Sequence, residues 1–196
     1  MLISTIVLKN KSILKVNKKE AMRYLGIKGE DSETLGLLEE IEKELFSFSE
    51  PRAVYIKTDI AVKDDIVDFG FMKVNSKKLA QNLDACTEAY LFCATLGITL
   101  DRQYERLCKI SQAKATVFSA AASSLIESFC DYVNRELVNG VFSKPRFSCG
   151  YGDFCIEHQS EILNVLEANK RLGVCLTDSF MMVPVKTVTA VIGIRR

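Results

Sequence analysis

Apolar positions change their period several times along the chain, and each change marks an element. Thr5 to Leu8 reads as a short β run, and Asn17 to Gly26 as a helix with a capping side chain at one end and a terminating glycine at the other. After the polar turn Lys28-Gly29-Glu30-Asp31, Ser32 opens a stronger helix. Leu35, Leu38, Ile41, Leu45 and Phe46 fall on one of its faces, and Glu39, Glu40, Glu42, Lys43 and Glu44 on the other. Such a stripe predicts a surface helix covering a sheet. Pro51 ends that helix. From Arg52 to Val62 the period drops to two through Val54, Ile56, Ile60 and Val62, and Ile66 to Val74 supplies a second β-rich segment. An antiparallel pair turning at Lys63-Asp64-Asp65 is predicted.

Ser76 caps a short helix toward Ala85, and Glu88 to Thr95 follows as a largely apolar strand ending in Leu96-Gly97, whose loop is expected beside a ligand cleft. Helical patterning then dominates, first from Thr99 through Arg106 and next over a long segment from Ser111 to Val138. Ala120, Ala121 and Ala122 permit close packing there, and the segment is predicted to be the spine of the domain. A further amphipathic helix is predicted over Glu157 to Asn169, using Ile162, Leu163, Val165 and Leu166, with Gly173 as its stop. Val174-Cys175-Leu176, Phe180 to Val183 and Thr187 to Ile194 read as β-structure bending at Pro184-Val185-Lys186. No internal repeat, linker or low-complexity tract interrupts the pattern.

Composition narrows the function classes. The 196 residues, 48% of them hydrophobic, suit one packed domain, and 26 basic against 25 acidic side chains give no charge argument for nucleic acid or an anionic membrane surface. The longest apolar runs, such as Phe118 to Ile126, are broken by serines and too short to span a bilayer. Seven cysteines without a C-x-x-C pair, and a start without a long apolar core, predict reduced thiols in the cytoplasm. With His158 as the single histidine and Cys149 and Cys155 six positions apart, no zinc site is expected. His158 itself is assigned a structural role. Cys86, Cys93, Cys108, Cys130 and Cys175 sit among apolar neighbours and read as small hydrophobes.

The stretch Arg146-Phe147-Ser148-Cys149-Gly150-Tyr151-Gly152-Asp153 departs from this plain pattern. Its glycines allow positive φ and close approach of a ligand, Pro145 marks its entry, and an arginine beside such a turn can grip a carboxylate or phosphate bidentately. Local pattern alone favours a Gly-rich surface turn between helices with Arg146 solvated. Glu127, about a turn beyond the three alanines, is the acid placed to point inward from the long helix, a solvated helix-face charge being its other reading.

The order of motifs says more than any one of them. A long Ala/Ser-rich helix bearing Glu127 precedes Arg146-x-x-x-Gly150-Tyr151-Gly152-Asp153, an amphipathic helix, and Leu176-Thr177-Asp178-Ser179-Phe180-Met181-Met182-Val183-Pro184. This series resembles the activation (reactivation) domain of cobalamin-dependent methionine synthase, specifically from Leu91 to Ile194 and only loosely over residues 1–90. The resemblance implies one α+β domain over residues 1–196, a twisted antiparallel sheet flanked by helices. It also implies a shallow extended groove for S-adenosylmethionine.

In that family the domain presents the methyl donor to a cobalamin oxidised to its inactive cob(II) form, and a flavodoxin-type donor supplies an electron for reductive methylation. By the family motif, Arg146 would pair with the methionyl carboxylate, Gly150 and Tyr151 would offer backbone contacts and an aromatic wall, and Glu127 would hold the ammonium or the ribose hydroxyls. No catalytic residue is implied, because the sulfonium is already an activated leaving group; the chain's task is positioning and desolvation. Cobalamin, homocysteine and folate modules are absent, so the resemblance implies a component of a methyltransferase in methionine biosynthesis, docking in trans onto corrinoid-binding modules.

Two other functions compete with that one. The first is a ligand-binding or assembly module for another corrinoid methyltransferase, without a part in catalysis. The second is a thiol redox protein using Cys149 and Cys155. The sequence departs from the family at Cys149, where many members carry proline. The family's tyrosine near the domain's end has no counterpart among residues 191–194, and its N-terminal acidic contact has no located equivalent.

Overall fold

A computed structural model describes residues 2–29 and 31–195. In chain order the elements are β1 (Ser4–Val7), α1 (Lys18–Tyr24), α2 (Ser32–Phe48), β2 (Arg52–Asp59), β3 (Ala61–Lys63), β4 (Ile66–Asp68), β5 (Lys73–Asn75), α3 (Lys77–Asn82) and β6 (Glu88–Thr95). They continue through α4 (Ile98–Ile110), α5 (Gln112–Val138), α6 (Gln159–Val165), α7 (Ala168–Leu172), β7 (Cys175–Leu176), β8 (Met182–Val183) and β9 (Thr187–Ile194). The architecture is α+β: a four-stranded antiparallel sheet in the order β1-β2-β6-β9 with helices on both faces, and a three-stranded sheet β3-β4-β5 beside it.

Alternation along the central strands feeds two cores. Phe92 and Ala94 of β6, with Ala190 and Ile192 of β9, face a cluster built with α1, α2, α4 and α5. Leu91 and Cys93, with Val191, face the opposite cluster built with β3 to β5, α3, α6 and α7. Because both faces of β6 are covered, its residues read as a nearly continuous apolar run rather than as an alternating one. Gly193 belongs to this packing: a Cβ there would lie 2.7 Å from both Cys86 Sγ and Leu83 Cδ2.

Most boundaries follow the local chemistry already read from the sequence. Asn17 caps α1 by accepting from the Glu20 N–H, and Ser76 caps α3 by accepting from the Leu79 N–H. Asp64 at φ 55° makes the predicted β3–β4 turn. Two readings need correction. The run from Arg52 to Val62 is not one strand: it breaks at Ile60, so that β2 stays in the main sheet while β3 joins the small one. The helix expected over 157–169 is three pieces, a 3₁₀ turn Ile156–His158, α6 and α7, because Glu167 adopts a left-handed φ of 49° between the last two.

The spine is as predicted. α5 runs unbroken from its Ser111 cap to Asn139, which ends it in the left-handed conformation. Phe118, Ala121, Ala122, Leu125, Phe129 and Val133 are buried along it. Lys186, immediately before β9, donates from Nζ to Ser123 Oγ at 2.8 Å and Ser119 Oγ at 3.2 Å, tying the start of the edge strand to α5. Burial lowers the pKa of that amine.

Candidate functional site

The Arg146 segment hangs on the free edge of the main sheet. Phe147 exchanges both backbone hydrogen bonds with Val191 of β9, at 2.9 and 2.8 Å, and the Lys144 N–H reaches the Gly193 carbonyl at 2.9 Å. Extended backbone sends successive side chains to opposite faces. Phe147 therefore packs into the core on the α6 side, while Arg146 turns toward α5. This edge pairing brings a turn into register with a helix that ended several residues earlier.

Past Phe147 the chain makes the glycine turn. Gly150 and Gly152 take φ of 87° and 61°, values that side-chain-bearing residues rarely adopt. The Gly150 N–H donates to the Phe154 carbonyl at 2.7 Å and the Tyr151 N–H to the Ser148 carbonyl at 3.2 Å, so both amides are spent inside the turn. What the turn offers outward is the Tyr151 ring, 66% exposed and tilted on Phe147 at 6.3 Å between centroids.

These pieces enclose a groove of about 250 Å³. Glu127, Arg146 and Tyr151 line it together with Ser148, Cys149 and Gln159, and β9 supplies Thr187 and Thr189. Gly150 does not line it; it shapes the turn behind Tyr151. The polar groups on the strand side are already paired: Thr187 Oγ1 donates to Thr95 Oγ1 at 2.9 Å, Thr189 Oγ1 to Gln159 Oε1 at 3.3 Å, and Gln159 Nε2 to the Phe180 carbonyl at 2.8 Å. That wall is rigid and neutral, and the charge sits on the side facing α5.

There Arg146 Nη2 donates to Glu127 Oε2 at 3.0 Å and to Asp131 Oδ1 at 2.9 Å. Glu127 and Asp131 are one helical turn apart on α5 and so share a face. The remaining terminal nitrogen, Nη1, is buried without a hydrogen-bond partner. Asp131, Gln159 and the two threonines were not among the residues singled out from the sequence. The spacing from Glu127 to Asp131 on a predicted helix, and the alternation of Thr187 and Thr189 on a predicted strand, were signals that would have found three of them.

Other expected features resolve differently. Gly97, at the end of β6, begins α4 against Glu50 and lies outside the groove lining. Asp153 turns away from the groove and anchors α3: it accepts from Ser76 Oγ, from the Lys77 N–H at 2.9 Å and from the Lys78 N–H at 3.2 Å. Those bonds, the Ser76 hydroxyl first, hold its carboxyl below the ordinary aspartate range. A carboxyl lowered on folding contributes stability above its unfolded pKa and loses it as pH falls through the folded value. Thermal unfolding followed below about pH 4 should therefore show the wild type losing stability that an Asp153→Asn variant, already destabilised at neutral pH, no longer has to lose. Parallel pH profiles for the two proteins would refute that role.

Burial pushes the Cys149 thiol up to about 12, so no thiolate stands in the groove at neutral pH. All seven cysteines are free. A Cys149 thiol held protonated by burial counts against the thiol redox reading. His158 packs on Phe154 at 5.7 Å and meets Glu161, in keeping with a structural role. Among the described residues no group of three or more His, Cys, Asp or Glu is arranged to hold a metal ion, and no helix is long and apolar enough to cross a membrane. A larger hollow, about 680 Å³, lies over Met22, Ile27 and Leu35 with Lys18, Lys19, Arg23 and Lys28 around it. It contains none of the motif residues.

No protein-family model and no curated protein sequence matches the chain. Solved structures do. The crystal structure of the MetH reactivation domain bound to AdoHcy superimposes with a TM-score of 0.73 over 98% of this chain and 78% of that one, at 15% sequence identity. The fold is that of the reactivation domain. The reactivation-domain fold accounts for residues 1–90 as well as for the part whose motifs resemble the family, since the superposition covers nearly the whole chain. In sequence the first part had carried only a loose likeness.

Proposed function

We propose that the groove binds S-adenosylmethionine, and that the chain is an activation subunit presenting this methyl donor to a corrinoid held by a separate protein. The observation that carries this reading is the convergence of Arg146, Glu127 and Tyr151 on one groove, in a fold shared with a domain bound to AdoHcy. AdoHcy is what remains of the donor after methyl transfer.

The carboxylate, the ammonium and the sulfonium of the ligand each have a matching group. The methionyl carboxylate takes the Arg146 guanidinium, and the ammonium takes Glu127, whose carboxylate lines the groove. The exposed face of Tyr151 favours the sulfonium by about 1 kcal/mol through a cation–π contact. A groove of about 250 Å³ encloses the amino-acid end and leaves the adenosine along the open surface, with the methyl group accessible from outside.

Transfer then needs no general base from this chain. The partner's corrinoid, reduced by one electron from a flavodoxin-type donor, would supply the nucleophile that takes the methyl group, with the electron pair of the broken S–CH₃ bond remaining on sulfur. Residues of this chain hold the sulfonium at the surface and keep the charged headgroup out of bulk water.

Calorimetric titration with S-adenosylmethionine tests binding, and a visible-spectrum assay with a cob(II)alamin-loaded corrinoid-binding protein and a reduced flavodoxin tests function. Saturable binding together with methylation that requires this chain is the expected result. Binding without methylation would favour a ligand-binding or assembly module, and absence of binding would end the proposal.

A further inference from the structure

The Arg146 cluster contains one carboxylate more than recognition of an amino acid requires. Both N–H bonds of Nη2 are committed, to Glu127 and to Asp131, while Nη1 is buried. A ligand carboxylate needs the guanidinium fork, so it must displace a resident partner before it can dock. The two candidates differ in position. The Glu127 side chain is 38% exposed and lines the groove, where a ligand ammonium would meet it. The Asp131 side chain is 63% exposed and lies outside the lining, so it can return to water at little cost.

We infer that Asp131 is a resident competitor for the ligand's carboxylate: it occupies Arg146 when the groove is empty and is exchanged into solvent when an amino-acid headgroup binds. This rests on the groove being the S-adenosylmethionine site. Charge supports the exchange. One guanidinium with two carboxylates carries a net charge of −1, so a purely anionic ligand meets repulsion, whereas a zwitterion replaces Asp131 at Arg146 and brings an ammonium for Glu127. The device lowers affinity and favours ligands that carry both charges. It also keeps the guanidinium oriented in the empty groove, since Nη2 is held between two points on a rigid helix.

The test compares the wild type with Asp131→Asn, titrated with S-adenosylhomocysteine and, as a probe lacking the amino-acid headgroup, with 5′-methylthioadenosine. Among the described residues the Asp131 side chain pairs with Arg146 alone, and the pair is open to solvent on the Asp131 side, so S-adenosylhomocysteine should bind the variant about two- to fivefold more tightly. Methylthioadenosine affinity should not change. An unspecific loosening of the fold would move both ligands together, and that outcome overturns the inference. Equal S-adenosylhomocysteine affinity in the two proteins, or weaker binding by the variant, also overturns it and leaves the groove assignment standing. Failure of both proteins to bind S-adenosylhomocysteine removes the groove assignment and the inference with it.

Discussion

Arg146→Ala should weaken S-adenosylmethionine binding by about 30- to 100-fold, the loss that follows when a charged hydrogen-bonding partner is withdrawn from a ligand carboxylate. The guanidinium is the cation that lines the groove, and its side chain is only 22% exposed, so solvent does not replace it cheaply. Calorimetry reads the change directly. Thermal stability should move far less, because the two ion pairs lost with Arg146 lead to the partly exposed Glu127 and Asp131. Arg146→Lys should recover only part of the affinity, since an ammonium cannot present the planar fork. Wild-type affinity in Arg146→Ala would show that the carboxylate is held elsewhere.

Phe129→Ala should produce the largest loss of stability, about 3–5 kcal/mol, and a fall in the unfolding midpoint of roughly 10 °C or more. Its ring is fully buried in the cluster between α5 and the sheet, and it stacks on Tyr132 at 6.3 Å with an interplanar angle of 13°. Truncation leaves a cavity beneath the helix that carries Glu127 and Asp131. At temperatures where the variant remains folded, S-adenosylmethionine affinity should stay near the wild-type value, because Phe129 is on the core side of α5 and Glu127 on the groove side. A drop in affinity equal to the drop after Arg146→Ala would mean that the groove depends on the packing beneath it as strongly as on its charge.

The proposed site is small, and its economy follows from the ligand's chemistry. A sulfonium needs neither a nucleophile nor a general acid from the protein, so the groove can consist of one cation, one acid and an aromatic wall. The neutral strand side, where Thr95, Thr187, Thr189, Gln159 and the Phe180 carbonyl satisfy one another, gives those groups a fixed backing. Asp131 adds to that economy a means of keeping Arg146 compensated and aimed before the ligand arrives.

Much of this molecule was determined locally and could be read from the chain. Asn17, Ser76 and Ser111 cap their helices because a short polar side chain meets an otherwise unpaired amide wherever it stands before a helical run. The apolar stripe of α2 comes from its periodicity, and the length of α5 from a run without glycine or proline. The run of β6 reveals a central strand because both of its faces are covered. Order of motifs along the chain was enough to indicate the fold.

Long-range pairing decided the rest. Nothing near Ile60 announces that the chain will leave one sheet for another, and Glu167 is not a residue type that ordinarily breaks a helix by taking a left-handed conformation. Asp153 stands in the motif next to the groove residues, yet its carboxylate is claimed by amides of α3, more than seventy positions earlier in the chain. Gly150 reads in sequence as a backbone contact for a ligand, and the structure spends its amide on the Phe154 carbonyl. The sequence by itself determined which residue types could recognise a charged amino-acid headgroup. Only the edge pairing of Phe147 with Val191 decided that Arg146 would face α5 and meet Glu127 and Asp131 there. Side-chain direction on a strand is fixed by register, and register is settled between segments that the sequence keeps far apart.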